Sequence, residues 1–395
     1  MTSIYPVNQR ILLLHPEGNS FNNPSLICII DLLLEKNIDI DLRYARAVTP
    51  MPECQGIKLW PYGRMLKRIK SVVFDKISAW PLMYVLVLLE SIFLYKRYDL
   101  IIGVDRQGLI EASILSDIKK TPYVFISFEI TCEDETSRRY KLPERKASKN
   151  VKAWLIQDDV RAELLQRENH LPASTKFILP LASAGTGELA TQRLRDQIGI
   201  AVEKKVAIAI GSISDWSMTN HLLRCVVDWP DDWVLIIHDR NGKTYELLHD
   251  ELASLSRLLG SKIFISDAAT EKVDAMGSIL SGVSAGLAFY QPNYKRPLTG
   301  KNLEYLGLAS GKISTYLRYG IPVIMNEIGL YADEARQFKF GCVVEQPRNI
   351  KDCFEGICNK SYQKNAKNYF NAKLNFNIYK NDVFYNFLGS LNPSN

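Results

Sequence analysis

Two sets of residues have types and spacings that could do chemistry. The first is built for anions. Ala309-Ser310-Gly311-Lys312-Ile313 opens a short helical segment, and Gly320-Ile321-Pro322 closes it before the apolar run Val323-Ile324-Met325. Glycine just past a helix with proline two residues later is a helix stop. At the other end, Ser310 and Gly311 present first-turn N–H groups, where the helix dipole favours negative charge, and Lys312 adds a formal positive charge. Gly211-Ser212 follows the apolar run Val206 to Ile210, and its missing side chain lets backbone approach a phosphate. Arg240 follows Val234 to Ile237 in the same manner.

The second set is acidic. Asp105 follows the apolar run Leu100 to Val104, and Glu129 follows Pro122 to Ser127. In an open α/β sheet, ligands bind beyond the carboxyl ends of the strands, so these two acids rank as acid/base candidates. His15 also follows a strand-like run, Ile11 to Leu14, within the loop His15 to Ser20. A histidine there is more often structural than a base. Asp39-Ile40-Asp41 is a D-x-D in an alternating strand, which could hold a metal; a solvated strand face is the simpler expectation. No Ser–His–Asp order, H-E-x-x-H or P-loop occurs, and no metal or cofactor is expected.

These residues require elements to position them. Ile11 to Leu14, a helical pattern over Pro24 to Lys36, and Ile38 to Leu42 read as a βαβ opening without G-x-G-x-x-G. The alternation continues through Leu100 to Val104, Leu109 to Ile118, Pro122 to Ser127, Ala153 to Ile156 and Phe177 to Pro180. It restarts at Val206 to Ile210 and runs through Val234 to Ile237, Ile263 to Ser266, Ala285 to Tyr290 and Val323 to Met325. Continuous apolar runs are what parallel strands buried on both faces require. The fold expected is α/β: two facing Rossmann-like domains with parallel sheets. We expect residues 1–181 as a first domain, 182–188 as a linker, 189–360 as a second domain, and 361–395 as a helical tail. Ligands are expected at the facing strand ends.

Composition excludes several classes. At 395 residues the chain exceeds one core of roughly 250–300 residues. The 47% hydrophobic content supports sizeable cores, and a net charge of +6 without an arginine-rich run gives no nucleic-acid signature. Seven scattered cysteines without a CxxC pair argue for reduced thiols. With no signal-peptide pattern at the start, a cytoplasmic location is expected. Residues 58–76 carry Lys58, Arg64, Lys67, Arg68, Lys70 and Lys76 against the single acid Asp75, interleaved with aromatics. Such a segment either attracts an anionic membrane surface or forms a solvated basic helix. The run from Trp80 to Leu89 that follows is too short to span a bilayer, which needs about 20 residues, and is expected as a buried helix.

The run Ser310-Gly311-Lys312-Ile313 … Gly320-Ile321-Pro322-Val323-Ile324 resembles the donor-site motif of GT-B glycosyltransferases, in particular the bacterial family-4-like group. Phe125 to Ile130, Glu144-Arg145, Ile156 to Ala162 and Gly341 to Val344 are similar to further segments of that group, in the same order. The resemblance implies a nucleotide-sugar donor on the domain 189–360 with its diphosphate at 310–312, and an acceptor on the side of 1–181. It also implies a tail over 361–395 that crosses back onto the first domain, and no bound metal. In many relatives a glutamate seven residues before the proline holds the ribose; here that place is Thr315, and the position eight earlier is Gly307. Thr315 can still hydrogen-bond a hydroxyl, while the retaining or inverting outcome stays open.

The expected activity is transfer of a sugar from a nucleotide-diphosphate donor to a glycan or lipid-linked acceptor in surface polysaccharide synthesis. Gly211, Ser212, Arg240, Ser310, Gly311, Lys312 and Thr315 would hold the donor, and Glu129 and Asp105 would do acid/base work. The alternatives are a GT-B nucleotide-sugar epimerase or hydrolase, and a two-domain binding protein without catalysis.

Overall fold

A computed structural model describes residues 9–18, 20–45, 55–94, 96–239, 262–268, 270 and 273–389. The chain divides into two compact units, and each is best understood by itself. Unit 1 holds residues up to Pro180 together with Tyr294–Asn302 and Ile378–Asn395; unit 2 holds Leu181–Asn293 and Leu303–Asn377.

Unit 1 is built on a seven-stranded sheet in the order β3-β2-β1-β4-β5-β6-β7, with every pairing parallel. Its strands are β1 (Arg10–His15), β2 (Asp39–Tyr44), β3 (Ile57–Pro61), β4 (Leu100–Val104), β5 (Tyr123–Ile126), β6 (Trp154–Ile156) and β7 (Lys176–Ile178). The central strands are apolar because helices cover them. Helix α1 (Pro24–Glu35) starts at Asn23, whose side chain accepts the Leu26 N–H, and buries Leu26, Ile29, Ile30 and Leu33 almost completely. Each such side chain contributes about 1.5–3 kcal/mol.

Helix α4 (Asp105–Lys119) leaves β4 without a loop. It can do so because Gly103 and Gly108 let the strand and helix touch: a Cβ on Gly108 would lie 2.6 Å from the Leu14 carbonyl oxygen. Strand order reverses between β1 and β4, so α4 begins at the point where an open sheet of this kind binds ligands.

Three expectations change here. Strand β3 adds an edge strand where only a basic segment was expected; its signal was the alternation Ile57-Lys58-Leu59. Asp41 is not solvated: it is buried and accepts the Tyr98 hydroxyl at 2.6 Å. Asp39, half-buried at the start of β2, pairs instead with Arg10 at 3.4 Å.

The third change concerns the basic segment. Helix α2 (Arg64–Lys70) runs into a wider turn, Ser71–Ile77, and then α3 (Trp80–Leu94). Lys70 points inward, 2.7 Å from Glu111 and 2.9 Å from Glu90. Glu111 also accepts the Tyr62 hydroxyl at 2.7 Å, and Arg43 stacks on the Tyr62 ring at 4.1 Å. Helix α3 buries Met83 and Val87 but leaves Leu82, Val85, Leu89 and Ile92 48–65% exposed, so it is buried on one side only.

Unit 2 repeats the plan with six parallel strands in the order β10-β9-β8-β11-β12-β13. These are β8 (Lys205–Ile210), β9 (Trp233–His238), β10 (Ile263–Ser266), β11 (Ala285–Ala288), β12 (Val323–Asn326) and β13 (Gly341–Val344). One face packs Val206, Ile208, Val234, Ile236, Tyr316 and Leu317; the other packs Ala207, Leu235, Trp233 and Phe354.

Residues 182–188, expected as a linker, are bonded into this unit. The Ser183 N–H donates to the Leu374 carbonyl, and Arg318 donates to the carbonyls of Ala184 and Gly185. Backbone polar groups need partners, and a Gly/Ser/Ala stretch supplies them as readily as it supplies flexibility. The C-terminal segment forms a helix, Lys360–Tyr369, followed by short helical turns, of which Ile378 onward belongs to unit 1. There Phe387 meets Phe177 edge-on at 5.5 Å.

Candidate functional sites of the two units

In unit 1 three carboxylates gather beyond the ends of β1, β4 and β5. Asp105 holds them together. One of its oxygens accepts the N–H groups of Phe128 at 2.7 Å and Glu129 at 3.0 Å; the other lies 3.6 Å from His15 Nε2. His15 Nδ1 contacts Ser20 Oγ at 3.1 Å. Asp105 has a backbone φ of 55°, in the left-handed region that costs a non-glycine residue on the order of 1–3 kcal/mol. The bonds from the β5 loop hold it there.

Glu129 accepts a hydrogen bond from the Asn302 amide. Asn302 is itself fixed: its side-chain oxygen accepts the Ile130 N–H and the Arg161 guanidinium, both at 3.0 Å. Arg161, fully buried, also donates to Gln157 at 2.8 Å and to the Phe128 carbonyl at 2.8 Å. The Glu129 side chain reaches solvent, yet protein crowds it. That loss of water, together with the Asp105 charge, raises its carboxyl to about 7, against the opposing pull of Arg161 and Asn302.

Glu17 lies in the β1 loop and accepts the Gln107 N–H at 2.8 Å. It too is accessible but crowded, and desolvation followed by the Asp105 charge raises it to about 8. Three acids in one place cannot all ionise cheaply at neutral pH. Asp105 accepts two backbone N–H groups, while Glu17 and Glu129 are raised into the range of useful acids and bases.

Unit 2 presents the opposite chemistry at its own switch point between β8 and β11. The helix Gly311–Arg318 begins after Ser310, whose hydroxyl accepts the Ile313 N–H at 3.2 Å and meets the Tyr290 hydroxyl at 2.5 Å. The cap thus takes one of the first-turn donors that the sequence left open for an anion. Gly211 has a φ of 97°, which only glycine adopts without strain, and a Cβ there would sit 3.2 Å from Lys312 Cε. Lys312 lies across that glycine with its ammonium 5.4 Å from the centroids of both Trp216 and Tyr290, two rings stacked at 6.1 Å. Gly211, Ser212 and Lys312 line one pocket with Ser217 and Thr219. Burial of the Tyr290 phenol raises it to about 12, so it remains a neutral donor.

The structure therefore brings Asp105 and Glu129 together in unit 1, and Gly211, Ser212, Ser310, Gly311 and Lys312 together in unit 2. Thr315 is buried one turn along the same helix. Arg240 lies outside the described residues. Sequence reasoning missed Glu17, Asn302, Trp216 and Tyr290. The first sits in a loop without periodicity, and Asn302 is 173 residues from its partner Glu129. Tyr290 alone carried a signal, as the residue closing an apolar strand.

Solved structures share this fold at low identity. HepE of Anabaena, in complex with UDP and glucose, is similar at 14% identity and a TM-score of 0.65, over 97% of this chain and 100% of that one. Sucrose-phosphate synthase of Thermosynechococcus elongatus is similar at 12% identity and a TM-score of 0.68, over 97% and 99%. WaaG, a glycosyltransferase involved in lipopolysaccharide biosynthesis, is similar at 12% and 0.62, over 98% of both chains. The fold is GT-B. Residues 274–384 match the family described as glucosyltransferase 3-like, C-terminal domain. No curated protein matches the sequence. The fold is the one that glycosyltransferases of GT-B architecture use, and the matched domain is glucosyltransferase-like.

Proposed function

We propose that the chain moves a sugar from a nucleoside-diphosphate donor to a hydroxyl of a glycan or lipid-linked acceptor, as a step in surface polysaccharide synthesis. The observation that carries the donor half is the Gly211–Lys312 arrangement: a bare backbone crossed by a lysine beside a capped helix start. A diphosphate placed there gains the ammonium charge and the helix dipole, and both strengthen as negative charge develops on the departing group. The UDP and UDP-glucose in the HepE structures make uridine diphosphate the first nucleotide to test. Thr315 serves the ribose, without the charge a glutamate would bring.

Glu129 is the base. A carboxyl near 7 is half ionised at neutral pH and is a stronger base than an ordinary glutamate. Asp105 organises the β5 loop and adds its charge to the desolvation that raises Glu129; one of its oxygens is taken up by two backbone N–H groups and the other faces His15. The assignment is tested by incubating purified protein with UDP-glucose and measuring UDP release for wild type, Lys312→Ala and Glu129→Gln. Unchanged turnover in Lys312→Ala would sink the donor assignment.

A membrane-surface location rests on the outward residues of the α2–α3 region. Arg64, Lys67, Arg68 and Lys76 are exposed, as are Met65 at 77% and Ile69 at 39%, whereas Lys70 is buried and takes no part. Four bases contribute on the order of 1 kcal/mol each at an anionic surface, and apolar side chains add to that. Among the described residues no helix is long and apolar enough to cross a membrane. Sedimentation with anionic vesicles, reversed by salt, is the expected result.

A further inference from the structure

A cavity of about 400 Å3 opens in unit 1, lined by Asp75, Lys76, Ser78, Ser137, Arg139 and Tyr140 among others. That volume is within the range of small-ligand sites. Its charge is one-sided. Asp75 is already committed, accepting the Gln107 amide at 3.0 Å and the Arg106 guanidinium at 3.4 Å. Lys76 and Arg139 are exposed, and neither forms an ion pair or hydrogen bond among the described residues. Ser137 Oγ accepts the Tyr140 N–H at 3.2 Å, which leaves its proton to donate. The wall thus offers two uncommitted cations and at least one hydroxyl donor, the equipment for an anion with several oxygens.

The cavity is wired to the carboxylate cluster. Arg106 and Gln107, which hold Asp75, directly follow Asp105, and the Gln107 N–H is the group that Glu17 accepts. Arg106 also donates to the Tyr140 carbonyl at 2.7 Å and stacks on the Tyr140 ring at 3.6 Å. On the other side, Ser78 ends the turn that leads within two residues into α3. The outward stripe of that helix, Leu82, Val85, Leu89 and Ile92, is apolar and exposed.

We propose that this cavity is the acceptor's anchor: it binds the diphosphate of a prenyl-diphosphate-linked sugar, through Lys76 and Arg139, while the lipid lies along the outward stripe of α3. This deepens the glycosyltransferase reading and rests on it for the role of the bound molecule, though not for the binding itself. The lipid stripe explains why a helix of a packed domain leaves four large apolar side chains in water.

The test is calorimetric titration of the full chain in detergent with three probes: inorganic pyrophosphate, a prenyl diphosphate, and UDP. The expected result is saturable binding of the prenyl diphosphate, weakened at least tenfold in Lys76→Ala/Arg139→Ala, with UDP affinity unchanged. Arg139→Lys should recover part of the loss. Val85→Asp/Leu89→Asp should weaken the prenyl diphosphate and leave pyrophosphate unaffected. Binding unmoved by the double alanine variant, or displaced by UDP, overturns the site. Pyrophosphate binding as tightly as the prenyl compound overturns the lipid half. None of these readouts needs turnover, so a chain that binds the prenyl diphosphate but shows no UDP binding or release fails the glycosyltransferase reading and keeps the anion site.

Discussion

The two units have the same strand order around their switch points and opposite contents there. Beyond β1 and β4, unit 1 collects Glu17, Asp105 and Glu129. Beyond β8 and β11, unit 2 places Gly211, Lys312, Trp216 and Tyr290. The supporting chemistry also differs. Unit 1 buries charge in quantity: Arg43, Lys70, Glu90, Glu111, Lys141, Glu144 and Arg161 are all under a tenth exposed. In unit 2 the sheet faces are apolar. One architecture thus supports an acid/base site on a charged frame and a cationic site on a greasy one. A carboxylate needs neighbours that tune its proton affinity, whereas a lysine that meets a diphosphate needs only a rigid seat and open backbone.

Substitutions at the two sites can break that contrast. Glu129→Gln should have the largest effect, a loss of about 10²–10⁴ in turnover. Because the base acts when deprotonated, the wild-type rate should climb as pH rises through about 7, and this limb should vanish in the variant while UDP binding persists. A pH–rate profile alongside a UDP thermal shift checks both halves. If UDP binding is lost as well, the division of labour fails.

Lys70→Ala tests the charged frame. It strands Glu90 and Glu111 in the interior, a loss of about 3–5 kcal/mol by denaturant unfolding. Lys312→Ala should cost about 10²–10³ in turnover with a weaker effect on folding, since the side chain is only partly buried and lies over two aromatic rings. A mild Lys70 phenotype would mean that the buried pairs of unit 1 are not structural.

Ser310→Ala removes the helix cap of unit 2 and should cost about 0.5–2 kcal/mol, read from a urea midpoint. The smallest effect is expected for Glu17→Gln. The folded carboxyl is raised above its ordinary 4.5 to about 8, so the stability it contributes is fully present below 4.5 and is lost as pH rises toward 8. The variant should therefore melt higher than wild type at pH 8 and alike at pH 4. Equal melting at both values would show that Glu17 is not held in its protonated form.

Legibility differed between the units for physical reasons. Ser310-Gly311-Lys312 was readable because a capped helix start, a lysine and a Gly-x-Pro stop are contiguous in sequence. Asp105 and Glu129 were readable because each closes an apolar strand. Glu17 was not, since nothing in His15-Pro16-Glu17-Gly18 separates an ordinary loop acid from one crowded by another strand's aspartate. Lys70 misled for the same reason: in sequence it is one base among six, and only Glu111, 41 residues on, makes it an interior charge. Asp41 misled because period-two alternation assumes one wet face, and Tyr98 covers that face.

The sequence by itself determined what is local: where strands and helices form, that the sheets are parallel and doubly wound, and where a phosphate could meet a helix start. Runs of apolar residues and capping signals act over a few residues, so they survive in one dimension. The tertiary structure alone decided which acids share a site, which lysine is buried, and which helix face stays in water. Proton affinity and ion pairing depend on distances between strands far apart in the chain, and burial depends on what the fold lays over each face.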